Sequence, residues 1–324
     1  MSRILVIKLS SLGDLFHALP AVHAIKQGTG ASIDWVTQPE YVDLVQCFAD
    51  IDRVIAFPRR ALATGLPSFL SDLRRDAYDF VLDLQGLLKS AAVARLARTK
   101  RRIGPSFNRE GSRLLYDEVA GPTNKDRHAV DEVLDVVRHL NLPAAEPVFP
   151  VRFPKKELDA QRPHVAFLPR SRWPTKNWPV AHFVAVGRAL QKQKQATIYL
   201  FGTPADAVAC SRIERQLEGF AVNLCGQTSL MELGSHLQEM DLAVSVDSGP
   251  MHVAAAVGVP VLALFGPTDP KRTGPYGAKH RVLTHVKLAC RPCFSEKCLL
   301  PGKEILCLTG LAPDRAIEAA LAMM

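Results

Sequence analysis

Short apolar runs rich in Val, Ile and Leu recur along this chain, with amphipathic helical stretches between them. Such runs are typical of parallel strands that are buried on both faces and joined by helices. The pattern therefore predicts an α/β fold built on doubly wound sheets. The first series predicts strands at 4–9, 33–36, 53–57 and 80–84 and helices at 15–26, 67–75, 89–97 and 129–140.

The apolar pattern stops at residues 142–156, which contain four prolines. This proline density excludes regular structure and is typical of a linker. We therefore expect two Rossmann-like domains, 1–150 and 151–324, with a ligand cleft between them, because 324 residues suffice for two cores. The second series predicts strands at 165–168, 197–201, 221–224, 242–246 and 260–265 and helices at 180–191, 204–217, 230–238, 250–257 and 313–324.

Composition and charge exclude several classes of protein. No apolar run approaches the roughly 20 residues that span a bilayer, and the first residues lack the pattern of a signal peptide, so we expect a cytoplasmic protein. Aromatic residues make up only 7% and no nucleic-acid recognition motif accompanies the net charge of +8, which argues against nucleic acid as a partner. The basic runs at 89–113 and 151–200 instead predict positive fields that attract anionic ligands.

The residues after the first strand carry the first candidate for chemistry, because open α/β sheets bind ligands beyond the carboxyl ends of their strands. They read Ser10-Ser11-Leu12-Gly13-Asp14. Two interpretations of Asp14 stay open: an acid that satisfies N–H groups at the helix start, or a general base that accepts a proton from a hydroxyl. The turn has neither Walker nor GxGxxG spacing, so it does not predict a nucleotide site.

A second candidate, Asp247-Ser248-Gly249-Pro250-Met251-His252, leads from a predicted strand into a helix. Gly249 permits a close approach to the backbone, Pro250 suits a first helical turn, and N–H groups at a helix start favour a phosphate. The segment predicts a diphosphate site. The alternative is a tight turn that needs Gly and Pro for its own geometry, and another loop of this kind follows the next strand at 265–270.

Residues 168–179 place three basic residues and two tryptophans before a helix. Lys176 in this segment is a point charge suited to neutralising a leaving diphosphate. A lone loop lysine is also a common solvent-exposed residue, so both interpretations stay open.

Four cysteines crowd into 18 residues near the end of the chain: Cys290, Cys293, Cys298 and Cys307. In a reducing compartment this spacing, which starts with CxxC, favours a structural zinc or iron site over disulfides. Buried free thiols are the alternative. A closed site of four thiolates would take no part in catalysis.

Together these segments resemble the ADP-heptose:lipopolysaccharide heptosyltransferases of glycosyltransferase family nine over essentially the whole chain. The resemblance rests on residues 10–14, 83–91 (Asp-Leu-Gln-Gly-Leu-Leu-Lys-Ser-Ala), 173–179, 247–252 and 265–270. Residues 85–90 and 128–131 are most similar to the first heptosyltransferases, which add heptose to the Kdo of the lipopolysaccharide inner core.

The resemblance implies a GT-B fold that binds the acceptor on the first domain and ADP-heptose on the second, with the last helix packing back on the first. It implies inverting transfer of L-glycero-D-manno-heptose without a catalytic cofactor, with Asp14 as general base and Lys176 neutralising the departing ADP. The implied donor-site residues are Ser171, Thr175, Asp206 (near the ribose), Thr228 (near the adenine), Asp247, Ser248, Gly249, Pro250 and His252. The implied residues for a Kdo-lipid A acceptor are Ser10, Ser11, Gly13, Arg59, Arg60, Lys89 and Arg109.

The cysteine segment departs from this pattern and is more similar to second heptosyltransferases and to autotransporter heptosyltransferases, which modify proteins. Three acceptors therefore stay open: the Kdo of the inner core, an inner-core heptose, or a protein. A noncatalytic sugar-nucleotide-binding protein is the alternative from another class, and the joint presence of Asp14 and the 247–252 loop argues against it. The surplus positive charge also predicts peripheral contact with the anionic inner membrane.

Overall fold

The chain folds into two units, Met1–Arg152 and Phe153–Met324. This division lies two residues beyond the predicted one. The structure is a computed structural model that describes residues 2–124, 126–143, 146–158, 162–285, 288–300, 302 and 304–324. Within those residues, no helix has both the length and the apolar character needed to cross a bilayer.

The first unit is a parallel sheet with five helices among its described residues. Its strands are β1 (Arg3–Ile7), β2 (Ser32–Thr37), β3 (Arg53–Ala56), β4 (Phe80–Asp83), β5 (Arg102–Pro105) and β6 (Glu118–Ala120). Its helices are α1 (Leu12–Thr29), α2 (Val42–Gln46), α3 (Leu62–Leu73), α4 (Leu88–Leu96) and α5 (Ala129–His139). The sheet order is β3-β2-β1-β4-β5-β6, and β1 is buried because helices cover both faces of the sheet.

The sequence pattern missed β5 and β6, which lie within and just after the basic run at 89–113. Neither strand is an apolar run, since β5 reads Arg-Ile-Gly-Pro and β6 has three residues. Pairing and cross-strand ion pairs hold them instead: Arg101 Nε lies 2.6 Å from Glu118 Oε1, and Arg102 Nη1 lies 3.2 Å from Asp117 Oδ2. Acidic side chains next to Arg101 and Arg102 therefore neutralise part of the predicted positive charge of this run.

The second unit repeats the arrangement. Its strands are β7 (His164–Leu168), β8 (Thr197–Leu200), β9 (Ala221–Asn223), β10 (Leu242–Val246), β11 (Val261–Phe265) and β12 (Arg281–Thr284). Its helices are α6 (Val180–Lys194), α7 (Ala207–Gln216), α8 (Leu230–Leu237), α9 (Gly249–Ala256), α10 (Pro270–Thr273), α11 (Leu306–Thr309) and α12 (Pro313–Met323). The order β12-β11-β10-β7-β8-β9 makes this sheet doubly wound as well, and the predicted α/β class is confirmed.

The last helix, α12, belongs to the second unit and packs against α6. Its alanines at 316, 319 and 320 are buried, and Trp178 Nε1 donates to the Leu311 carbonyl at 2.9 Å just before it. The contact of this helix with the first unit, and the cleft between the units, stay predictions.

Strand order reverses between β1 and β4 in the first sheet and between β7 and β10 in the second. Ligands of open α/β sheets bind outside the carboxyl ends of strands at such reversal points. The loops that leave β1, β4, β7 and β10 carry residues 10–14, 84–89, 169–179 and 247–252. Four of the segments singled out from the sequence thus lie at the two reversal points.

Candidate active site

Asp14 lies in the first turn of α1, just beyond the end of β1. Its Oδ2 accepts hydrogen bonds from the Ser11 backbone N–H (3.0 Å) and the Ser11 hydroxyl (2.7 Å), while its Oδ1 lies 3.8 Å from His17 Nδ1. The side chain remains 43% exposed. Asp14 therefore does satisfy polar groups at the start of α1. Both contacts with Ser11 are made by Oδ2 alone, and the carboxylate is still accessible.

A buried lysine sets the charge of this turn. Lys8 is 5% exposed and its Nζ donates to the Leu84 carbonyl at 2.7 Å, at the end of β4. Although the side chain is 43% exposed, the protein atoms around it remove part of its hydration and by themselves would raise the pKa of Asp14. The charge of Lys8 and hydrogen bonds from His17 and the Ser11 backbone outweigh this and hold that pKa well below its ordinary value. Asp14 is therefore ionised at neutral pH and able to accept a proton.

Two glutamines that the sequence analysis did not select hold the turn in place. Gln85 Oε1 accepts the backbone N–H groups of Leu9 and Ser10, both at 3.1 Å. Gln38 Nε2 lies 3.5 Å from Ser10 Oγ, and Gln38 Oε1 lies 3.5 Å from Arg59 Nη1. Gln38 directly follows β2 and Gln85 is the second residue after β4, and this position just beyond a strand end is the signal that could have found them.

The predicted acceptor-site residues lie around this edge of the first sheet. Ser10 and Arg59 are linked through Gln38, and Gly13 is buried in α1. Burial and then the nearby charge of Arg59 lower the pKa of Lys89, which places these two cations close together. Arg60 is exposed, and exposed Arg109 donates its backbone N–H to the Gly86 carbonyl at 2.8 Å.

In the second unit, Lys176, Asp247 and Thr268 form a buried cluster. Lys176 Nζ lies 2.7 Å from Asp247 Oδ2, and the Thr268 hydroxyl donates to the same oxygen at 2.6 Å. The side chains of Lys176 and Asp247 are 16% and 7% exposed, so Lys176 is not the solvent-exposed loop lysine of the alternative interpretation. Thr268 was quoted within the 265–270 loop but not selected as a site residue.

Neighbouring side chains fix the loop that carries Lys176. Lys176 Nζ lies 4.6 Å from the centre of the Trp173 ring, which is a cation–π distance. Asn177 Oδ1 accepts the Ser171 backbone N–H at 2.7 Å, and the buried Thr175 hydroxyl donates to the Ser295 carbonyl at 2.8 Å. The hydroxyl proton of Thr175 is therefore already used in a hydrogen bond within the protein.

The remaining predicted donor-site residues follow β8, β9 and β10. Ser248 precedes α9, Gly249 and Pro250 form its start, and His252 is buried within it. Asp206 Oδ2 accepts from the Thr203 backbone N–H (2.9 Å) and hydroxyl (2.7 Å), while its Oδ1 lies 4.0 Å from Arg170 Nε. Thr228 lies in the loop before α8.

The four clustered cysteines line one cavity of about 50 Å³ together with Arg291 and Pro267. Cys290 and Cys293 are exposed, Cys298 Sγ donates to the Glu304 carbonyl at 3.1 Å, and burial raises the pKa of Cys307. In the described part of the chain, no three or more His, Cys, Asp or Glu side chains are placed to hold a metal ion. The predicted zinc or iron site is therefore unsupported by the described residues.

Comparison with known proteins shows which family this chain belongs to. Residues 67–304 match the family described as glycosyltransferase family 9 (heptosyltransferase). Lipopolysaccharide heptosyltransferase 1 of Pseudomonas aeruginosa is 30% identical over 350 aligned residues, which cover 99% of this chain and 98% of that protein.

Solved structures share the fold over its full length. E. coli heptosyltransferase WaaC with ADP has a TM-score of 0.80 at 26% identity and covers 99% of this chain and 100% of its own. A glycosyl transferase family 9 protein from Veillonella parvula has a TM-score of 0.85 at 22% identity and covers 99% and 97%. The expected GT-B fold is thereby confirmed, and the chain belongs to glycosyltransferase family 9, the heptosyltransferase family.

Proposed function

We propose that this glycosyltransferase is an inverting enzyme that moves L-glycero-D-manno-heptose from ADP-heptose to the Kdo of the lipopolysaccharide inner core on the cytoplasmic side of the membrane. The observation that carries the proposal is the pair of reversal points. One presents the ionised, accessible carboxylate of Asp14, and the other presents the buried Lys176–Asp247–Thr268 cluster. The relatives named above, an LPS heptosyltransferase and a heptosyltransferase with ADP, support this choice of substrates.

In the proposed reaction, Asp14 accepts the proton of an acceptor hydroxyl as that oxygen attacks the anomeric carbon of heptose. The bond from this carbon to the diphosphate oxygen breaks, and ADP departs with the electron pair. Lys176 neutralises the charge that develops on the diphosphate, and Asp247 accepts hydrogen bonds from heptose hydroxyls. No cofactor is part of the proposal, and no step passes through the cysteine segment.

The other donor residues have supporting roles in the proposal. Backbone N–H groups around Ser248, Gly249 and Pro250 at the start of α9 hold the diphosphate, with Ser171 and His252 beside it. Asp206 binds the ribose and Thr228 lies near the adenine. Since its hydroxyl already donates to Ser295, we assign Thr175 to fixing the loop.

On the first unit, Ser10, Ser11 and Gly13 form the turn that receives the acceptor sugar. Arg59, Arg60, Lys89 and Arg109 supply positive charge for the Kdo carboxylates and the lipid A phosphates.

The choice of acceptor is tested by ADP release from ADP-heptose with three acceptors offered separately. These are a Kdo2-lipid A analogue, the same analogue already carrying one heptose, and a folded autotransporter passenger domain. We expect turnover with the first. Turnover only with the second or the third would replace the Kdo assignment by a second-heptose or protein acceptor, and binding of ADP-heptose without turnover would make the chain a sugar-nucleotide binder.

The role of Asp14 as base must be separated from its role at the helix start. Asp14→Asn keeps an oxygen for the two Ser11 contacts but removes the basic carboxylate, so we expect turnover to fall by a factor of roughly 100 to 10,000 with ADP-heptose affinity nearly unchanged. Thermal unfolding of Asp14→Asn checks that the helix start is intact. If a folded Asp14→Asn retained turnover within a few-fold of the wild type, the base assignment would be wrong.

A further inference from the structure

Helix α3 carries an apolar stripe that extends past the core of the first unit. Leu62, Leu66, Phe69 and Leu73 follow one another at spacings of four, three and four residues, which places them on one face. Phe69 and Leu73 are 3% and 0% exposed, whereas Leu62 and Leu66 are 48% and 37% exposed. The N-terminal half of the stripe is therefore uncovered while its C-terminal half packs on the sheet.

The uncovered half lies at the same edge of the sheet as Asp14. Helix α3 begins after the carboxyl end of β3, and Arg59, just before it, contacts Gln38 after β2. Gln38 in turn contacts Ser10 in the turn that leads to Asp14. A molecule lying on this half of α3 would thus be adjacent to the proposed acceptor site.

Exposed leucine and positive charge occur together at this edge. Exposed Arg59 and Arg60 precede Leu62, and at the start of α4 the 48% exposed Leu88 precedes half-buried Lys89. The charge of Arg59 contributes to lowering the pKa of Lys89, so the two groups belong to one cationic region, with Glu110 as the acidic group facing Lys89. Large exposed apolar side chains rimmed by charge mark interaction surfaces.

We propose that one surface of the first unit docks on an anionic phospholipid bilayer. This docking surface consists of Leu62, Leu66 and Leu88 together with Arg59, Arg60 and Lys89. The leucines enter the boundary between headgroups and acyl chains, and the cations lie among the lipid phosphates. Basic residues are attracted to an anionic surface and the burial of apolar side chains adds to that attraction, so that the two signals together give stable peripheral binding. The inference rests on the proposed function, because a lipid-anchored acceptor must reach Asp14 from a membrane.

The docking surface is tested by co-sedimentation of the full chain with vesicles of phosphatidylcholine, with and without phosphatidylglycerol. The test variant is Leu62→Ser/Leu66→Ser, and the control is Val208→Ser, an apolar residue 68% exposed on α7 in the second unit. We expect anionic vesicles to bind the wild type and the control, and to bind the double variant at least about fivefold more weakly. Equal binding of all three proteins, or equal binding of the wild type to both kinds of vesicle, would overturn the proposal.

The activity arm separates this inference from the proposed function. The same proteins are assayed with a Kdo-lipid A acceptor embedded in anionic vesicles and with a water-soluble, deacylated Kdo acceptor. The double variant should lose activity only with the embedded acceptor, and thermal unfolding should show that it is folded. Equal activity of the double variant and the wild type on the embedded acceptor would refute docking, whereas no turnover by the wild type with either acceptor would refute the proposed function and leave co-sedimentation to decide docking.

Discussion

At the scale of single residues, Asp247 shows how two neighbouring side chains hold a carboxylate of the proposed donor site in position. Lys176 and Thr268 both contact its Oδ2, at 2.7 and 2.6 Å, in a buried setting. In our proposal Lys176 also interacts with the diphosphate, so Thr268 is the partner that keeps the carboxylate in position throughout the reaction.

We therefore expect Thr268→Val, which keeps the shape and removes the hydroxyl, to lower kcat/KM for ADP-heptose. A hydrogen bond to a charged group contributes about 1.5 to 3 kcal/mol, which corresponds to a loss of roughly 10- to 100-fold. Steady-state kinetics with varied ADP-heptose measures the effect. Thr268→Ser should restore most of the activity, and a Val variant as active as the wild type would show that the hydroxyl is dispensable.

The pH dependence of turnover follows from the lowered pKa of Asp14. A general base works when it is deprotonated, so a lowered pKa keeps Asp14 active as the pH falls from 7 towards the ordinary carboxyl range near 4. The same shift contributes folding stability above the unfolded pKa, and this contribution is lost as the pH falls through the folded pKa. We expect no acidic decline in kcat/KM from Asp14 between pH 5 and 7.

Lys8→Met tests the physical cause of that behaviour, because it removes the first of the factors that lower the pKa of Asp14 and keeps a long apolar side chain. The acidic limb of kcat/KM should move to higher pH while the unfolding transition confirms a folded protein. A folded variant with an unshifted pH profile would mean that Lys8 does not set the charge state of Asp14.

At the scale of elements, the close packing of α12 on α6 depends on small side chains. Ala320 is fully buried in that contact, whereas Ala322 on the same helix is exposed. Ala320→Leu should overpack the interface and lower the free energy of unfolding by about 1 to 3 kcal/mol. Ala322→Leu is the matched control and should change it little. Chemical denaturation measures both, and equal stability of the two variants would contradict tight packing of α12.

The secondary structure shows which elements were predictable. Apolar runs buried on both faces, such as β1, β7 and β10, are the kind of strand that the sequence pattern identifies. Strands β5 and β6 could not be found in this way, because their stability comes from pairing and from partners such as Glu118 and Asp117, which the chain supplies 15 to 17 residues later. Their location depends on sheet register, which local patterns do not encode.

At the scale of the whole molecule, the net charge of +8 predicts salt-sensitive recognition of an anionic acceptor. We expect KM for the Kdo-lipid A acceptor to rise with NaCl as the exposed cations are screened. Arg109→Gln should raise KM at low salt and reduce its salt dependence. Arg74→Gln, which removes an exposed charge at the end of α3, is the control. Identical salt profiles for both variants would exclude Arg109 from acceptor binding.

The sequence by itself determined the α/β class, the strands and helices of the two series apart from elements such as β5, β6 and β12, and the segments that carry Asp14, Lys176 and Asp247. It could do so because strand burial, turn chemistry and the spacing of polar residues are local properties of a chain. Only the tertiary structure decided that Lys176 and Thr268 share one oxygen of Asp247, that Gln38 and Gln85 hold the Asp14 turn, and that the four cysteines line a void. These contacts join residues that are distant along the chain, and their geometry follows from how strands order in a sheet and how loops meet at its edge.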